Sequence, residues 1–184
     1  MKRCSWVNLN NKLYVHYHDN YWGKPSHDDN YLFKMLLLES FQAGLSWECI
    51  LNKEENFKKA FDNYDYNKIS KYDDNKINEL LNNPGIIRNK LKIKAIINNA
   101  NVFIKIQNEY ESFSNYIWHF TNGKIIKNYD DKILTHSKLS DDVSKDLKKR
   151  GMKFVGTIII YSYLQAIGII NDHEKKCFLY NKES

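Results

Sequence analysis

The stretch "FVGTIIIYSYLQAIG" (154–168) admits two structures, and the choice between them sets the fold class. Its β-branched run, Thr157 to Ile160, suits a strand. Its length exceeds that of most strands, and Gly168 is a good stop for a helix C-terminus, so a buried helix is predicted. Outward from it, helical signals dominate. Upstream, Ser140 is expected to cap "DDVSKDLKKR", which Gly151 stops. "NKLKIKAIINNANVFIKIQNEY" (89–110) sets Leu91, Ala95, Ile96, Val102 and Phe103 near one stripe. Asp73 is placed to cap "DNKINELL", which Pro84-Gly85 ends, and Ser46 to cap "WECILNKEENFKKAFDNY". Ser26 is placed to cap a helix running to about Gln42, before Gly44 breaks the chain. Residues 122–138 read as irregular. The fold class expected is all-α, with about seven or eight helices.

Composition narrows the class. The 184 residues suit one domain with a sizeable core, or a domain plus a small lobe. Hydrophobic residues at 42% and charged residues at 27% exclude a disordered chain. The formal charge of +6 permits an anionic partner such as nucleic acid without requiring one. No run is long and apolar enough to span a bilayer, and no secretory leader is expected. Cys4, Cys49 and Cys177 do not make a disulfide framework, so a reducing cytoplasm is the simplest compartment.

Three constellations carry chemistry. Cys4 and His18 stand near the start of the chain, and His173 and Cys177 stand at i and i+4 near its end. Two Cys and two His make a closed tetrahedral set, suited to structural zinc with no place left for water. The alternative is a frayed terminus and a surface histidine. Cys49 reads as a small core residue. The second constellation is "LKKRGMKFVGT" (147–157). Its basic helix end, Gly151-to-Gly156 turn and following helix make a helix–hairpin–helix pattern. There, backbone amides approach phosphate while Lys148, Lys149, Arg150 and Lys153 attract it. A basic helix end complementing its own dipole fits the same residues. The third is Glu39, a carboxylate sharing a helix face with Leu32, Met35 and Leu36, amid Trp6, Tyr14, Tyr17, Tyr21, Trp22 and Trp47. Such aromatics usually form core. Around one carboxylate they are also what a pocket for a flat cationic base requires.

The blocks "RCSWV", "YHDNYWG", "LESFQAGLSW", "GIIRNKLKIKAIINNA", "LKKRGMKFVGT" and "NDH" followed by Cys177 closely resemble the DNA-3-methyladenine glycosylase I family. They fall in order over nearly the whole chain, with 108–140 the poorest match. The resemblance implies the helix–hairpin–helix DNA glycosylase fold over residues 1–184, with a zinc-stapled lobe from residues near 1–25 and 168–184. It implies one structural zinc on Cys4, His18, His173 and Cys177. It implies Glu39 as the acidic residue of the base pocket, walled by Trp6, Tyr14, Tyr17, Trp22 and Trp47. Gly44 and Leu45 match the turn that enters the duplex, and Gly151, Lys153 and Gly156 belong to the phosphate-gripping hairpin. The implied activity is hydrolysis of the N-glycosidic bond of 3-methyladenine in alkylated double-stranded DNA by base flipping, by a cytoplasmic monomer with no obligate protein partner.

Two features depart from or stand aside from that pattern. "SFQ" replaces a more polar stretch, so Ser40 and Phe41 are expected to alter the rear wall of the pocket. Asp172 lies near the place where the wider superfamily carries a catalytic aspartate, but this branch is not expected to depend on one. Two rival functions are a non-catalytic, zinc-stabilised DNA-binding module and a zinc hydrolase with an open metal site. The first has no use for a carboxylate in an aromatic pocket, and four good ligands argue against the second.

Overall fold

The computed structural model describes residues 1–128 and 134–180. Residues 129–133, within the stretch expected to be irregular, and 181–184, the end of the expected lobe, lie outside the described residues. Helices dominate: α1 (Lys12–Asn20), α2 (Asp29–Gln42), α3 (Trp47–Leu51), α4 (Glu54–Ala60), α5 (Tyr66–Ile69), α6 (Asp74–Asn82), α7 (Lys90–Tyr110), α8 (Phe113–His119), α9 (Lys138–Lys149) and α10 (Thr157–Ala166). A short 3-10 turn spans Asp62–Tyr64. Among the described residues the fold is all-α as expected, apart from one minimal parallel pair, Ile126–Lys127 (β1) with Ile170–Asn171 (β2), Ile126 opposite Ile170. The pairing ties the segment after α8 to the segment after α10.

The centre of the molecule is α2. Every residue from Leu32 to Phe41 except Lys34 is buried. A helix that is apolar on all sides needs neighbours on all sides, and α2 packs against α3, α7, α8 and α10. Phe33 meets Phe103 of α7 edge-on at 5.1 Å, and Phe103 stacks on Phe113 of α8 at 4.1 Å. The helix reading of the β-branched run holds over Thr157–Ala166. Gly168 (φ +77) follows that helix at a point where a Cβ would lie 2.2 Å from Pro25 N, so only glycine fits.

The observed helix boundaries shift several expectations. Asp28, not Ser26, caps α2 by accepting from the Asn30 amide. Ser137, not Ser140, caps α9, with Ser140 closing a reciprocal capping box. Short polar side chains a few residues apart compete for the same amides, and local sequence does not rank them. The segment after Ser46 breaks into α3, α4 and the 3-10 turn, where Asn63 is left-handed. Leu91 does not join the α7 stripe and stands 71% exposed. Ala95, Ile96, Val102 and Phe103 are buried as expected, joined by Ile93, Ala100 and Ile106.

Candidate active site and metal centre

The end of α2 carries Glu39 to the floor of a cavity of about 580 Å³. Trp6, Tyr14, Tyr17, Trp22 and Trp47 all line it. The rings brace one another: Trp6 meets Trp22 at 4.8 Å and Tyr14 at 5.4 Å, and Tyr17 meets Trp47 at 5.1 Å. Tyr21 does not join them, being 44% exposed and packed on His16 instead. Phe41 and Ser40 do not form the rear wall either. Phe41 is buried against Phe57 and Phe61, and Ser40 donates to the Phe154 carbonyl at 3.4 Å.

Three buried side-chain atoms lack a hydrogen-bond partner among the described residues: Glu39 Oε2, Trp47 Nε1 and Asp172 Oδ1. All three residues line this cavity. Buried polar groups are nearly always paired, because an unpaired one costs about 1–3 kcal/mol. Two acceptors and one donor waiting in a ring-lined space fit a polar, aromatic ligand. Burial alone pushes the Glu39 carboxyl up to about 8, so a cation entering the cavity would favour its ionised form. Asp172 is the second carboxylate of the cavity. Its Oδ2 accepts from the Tyr161 hydroxyl at 2.5 Å and from Gln165 Nε2 at 2.6 Å, which fixes where Oδ1 stands.

Behind the cavity wall, Cys4, His18, His173 and Cys177 come together from both chain ends. All four are buried, and their potential ligand atoms lie within 4.8 Å of one another. Cys4 Sγ is 3.5 Å from His173 Nδ1, and Cys177 Sγ is 3.5 Å from His18 Nε2 and 3.6 Å from His173 Nδ1. Cys49 is not part of the group. Each histidine is tethered through its other nitrogen or backbone contact. His18 Nδ1 pairs with Asp19 Oδ1 at 2.8 Å, and Arg3 grips that carboxylate with bonds of 2.7 to 3.0 Å. His173 hydrogen-bonds the main chain of Trp22. Such outer partners fix ring orientation for a metal. Burial pushes the Cys4 thiol up to about 12 and pulls His173 down to about 4. The sequence reading missed the Arg3–Asp19 brace, although both residues adjoin ligands.

The hairpin connects α9 to α10. Gly151 takes φ +98, and Gly156 caps α10 with an open approach where a Cβ would meet nothing within 4 Å. Helix α7 holds it in place: Asn98 donates to the Gly151 carbonyl, and Asn99 both donates to the Lys153 carbonyl and accepts from its amide, each at 2.8 Å. Lys153 is exposed. Arg150 is not the free cation expected. It pairs with Asp146 and Glu109 at 2.6 Å and lies over Tyr116. The Gly44–Leu45 turn adjoins the cavity through Gln42, whose carbonyl accepts from the Leu45 amide at 2.7 Å. Gly44 takes φ +80 and Leu45 remains 39% exposed.

A helical fold that encloses an acidic, ring-lined cavity and also carries a glycine hairpin and an exposed leucine turn has the parts of a base-binding DNA glycosylase. The family model of methyladenine glycosylases matches residues 6–180. DNA-3-methyladenine glycosylase 1 of Escherichia coli (strain K12) is 42% identical over 183 residues, covering 98% of this chain and 97% of that protein. The Haemophilus influenzae DNA-3-methyladenine glycosylase is 39% identical over 178 residues, covering 95% and 96%. A structure of 3-methyladenine DNA glycosylase I from Staphylococcus aureus, solved for its recognition of 3-methyladenine, superposes with a TM-score of 0.94 at 35% identity, covering 100% of this chain and 99% of that one. The chain belongs to the methyladenine glycosylase family.

Proposed function

We propose that the protein is a DNA glycosylase of base-excision repair that hydrolyses the N-glycosidic bond of 3-methyladenine in alkylated duplex DNA. The observation that carries this reading is the buried, unpartnered Glu39 Oε2 inside a ring-lined cavity. Methylation at N3 makes adenine cationic and a good leaving group, so little acid catalysis is needed. Flipping the nucleotide costs a few kcal/mol, least for a damaged base. Hydrogen bonds to a charged acceptor contribute about 1.5–3 kcal/mol each, and stacking a cation on aromatic rings adds roughly 0.5–2 kcal/mol. Together these offset extrusion for a cationic base and fall short for ordinary adenine.

In this mechanism Tyr14, Tyr17, Trp6, Trp22 and Trp47 wall the base, and Glu39 accepts its N–H groups. The C1′–N9 bond breaks with its electrons passing to the ring, which neutralises the methylated base. Water adds to C1′ and loses its proton to solvent, leaving an abasic site and an intact strand. Gly44 and Leu45 fill the space the base vacates. Gly151, Lys153 and Gly156 hold the phosphate backbone.

Cys4, His18, His173 and Cys177 are assigned to one structural zinc, which joins the segments near 1–25 and 168–184. Tetrahedral bonds of about 2.3 Å to sulfur and about 2.0 Å to nitrogen put such atoms roughly 3.5 Å apart, in keeping with the separations of 3.5 and 3.6 Å here. When bound, the metal supplies structure only, because four protein ligands leave no place for water. No helix among the described residues is long and apolar enough to cross a membrane. The reading is of a monomer of one glycosylase domain, acting in the cytoplasm on duplex DNA.

The test is chromatography of bases liberated from methylated duplex DNA. Free 3-methyladenine with uncut strands is expected. A protein that binds the DNA and releases no base would be the non-catalytic DNA-binding module instead.

A further inference from the structure

The turn between the metal-type ligands His173 and Cys177 reads Glu174-Lys175-Lys176, and all three residues line the base cavity. The turn is held before any DNA arrives. Glu174 Oε1 accepts from the Ser5 amide at 2.8 Å and the Ser5 hydroxyl at 2.6 Å. The Cys177 amide donates to the Glu174 carbonyl at 2.7 Å, and the Phe178 amide to the Lys2 carbonyl at 2.9 Å. Lys176 is exposed, and among the described residues no ion pair engages it. An exposed cation on a fixed turn at a cavity wall is placed to meet an anionic group that arrives with the ligand.

A nucleotide entering base-first supplies one. Its base passes towards Glu39, while its sugar and the two flanking phosphates stay at the mouth. We infer that Lys176 contacts a phosphodiester of the flipped nucleotide itself, making the metal-bearing turn a second backbone grip beside the hairpin. The inference rests on the glycosylase reading above. Glu174 keeps its charge while it accepts from Ser5, but with Lys175 and Lys176 beside it the turn is still cationic on balance. The hairpin would hold the strand wherever the protein tracks along DNA, whereas Lys176 reaches its phosphate only when a nucleotide is everted.

The experiment compares wild type, Lys176→Gln and Lys176→Arg in binding to a duplex carrying a stable abasic analogue, to an undamaged duplex, and to free 3-methyladenine. For the abasic duplex, Lys176→Gln is expected to lower the slope of log affinity against log salt by about 0.9. Wild type then loses about 3.5-fold more affinity than the variant between about 50 mM and about 200 mM salt. Lys176→Arg is expected to keep the wild-type slope. Binding of free 3-methyladenine, zinc content and melting temperature are expected to be unchanged in both variants. An unaltered slope on the abasic duplex overturns the inference. So does an equal drop on the undamaged duplex, which would make Lys176 a contact to unflipped DNA. Failure of the glycosylase reading is separate: wild type itself would then release no base and not prefer the abasic duplex.

Discussion

Lys92 Nζ donates to the Phe41 carbonyl at 2.7 Å and to the Ala43 carbonyl at 2.6 Å, across the fold from α7 to the end of α2. The lysine is buried, and burial lowers its pKa. Its ammonium sits where the α2 carbonyls have no helical partner and the helix dipole is negative, so one cation meets both needs. It also fixes the start of the Gly44–Leu45 turn. Lys92→Met keeps the stem and removes the charge, leaving two carbonyls unpaired. A loss of about 2 kcal/mol is expected, a fall of roughly 4–8 °C in Tm for a chain of this size. Abasic-duplex binding should weaken while free 3-methyladenine still binds. Unchanged melting would show that the carbonyls find water instead.

Glu39→Gln tests the acidic floor of the cavity. Replacing a charged acceptor by an amide is expected to lower kcat/KM for 3-methyladenine release by about tenfold to about 150-fold, the equivalent of 1.5–3 kcal/mol. Equal release by both proteins would remove Glu39 from the mechanism.

The same variant carries a pH signature of opposite sign. Glu39 titrates at about 8 when folded, against an ordinary value of 4.5. Between those values the native state holds a proton that the unfolded state has lost, so the carboxyl lowers stability progressively as pH rises through this window. At roughly 1.4 kcal/mol per unit, the cost by pH 8 is on the order of a few kcal/mol. Glu39→Gln should therefore melt like wild type near pH 4.5 and above it at pH 8. Melting curves whose separation does not change with pH would contradict this.

Removing a metal ligand acts through the fold. Cys177→Ser is expected to lose stoichiometric zinc, measured by elemental analysis, and to melt lower by about 10 °C or more. Activity should decline in step with the folded fraction, because the proposed four-ligand site would leave the metal no place to bind water. A variant that keeps one zinc and its melting temperature would rule out the four-ligand site.

Two glycines should separate folding from binding. At Gly168 an added Cβ would lie 2.2 Å from the Lys24–Pro25 backbone, at φ +77. Gly168→Ala is expected to cost several kcal/mol and to yield little folded protein. At Gly156 a Cβ meets nothing within 4 Å, and φ is −62. Gly156→Ala should melt within about 1 kcal/mol of wild type and bind duplex DNA more weakly, since the methyl blocks close approach of phosphate. Circular dichroism and a filter-binding assay distinguish the two cases. Equal folding of both variants would refute the packing argument at Gly168.

Sequence alone determined what depends on residue type and local spacing. Glu39 was conspicuous because a lone carboxylate in "MLLLESFQ" has no reason to be there unless something pairs with it. The two Cys and two His were legible because few side chains share that ligand chemistry. The long β-branched helix was legible from its length and its terminal glycine. Tertiary structure decided everything set by contacts between distant segments. Which of Ser26 and Asp28, or Ser140 and Ser137, caps a helix depends on the entry of the preceding chain. That Arg150 serves Glu109 as well as Asp146, and that Asp172, held by Tyr161 and Gln165, lines the same cavity as Glu39, depends on packing between segments far apart in sequence. Periodicity reports which face of a helix is apolar. It does not report what that face meets, and Lys92, lying among apolar α7 neighbours, is buried because α2 ends above it.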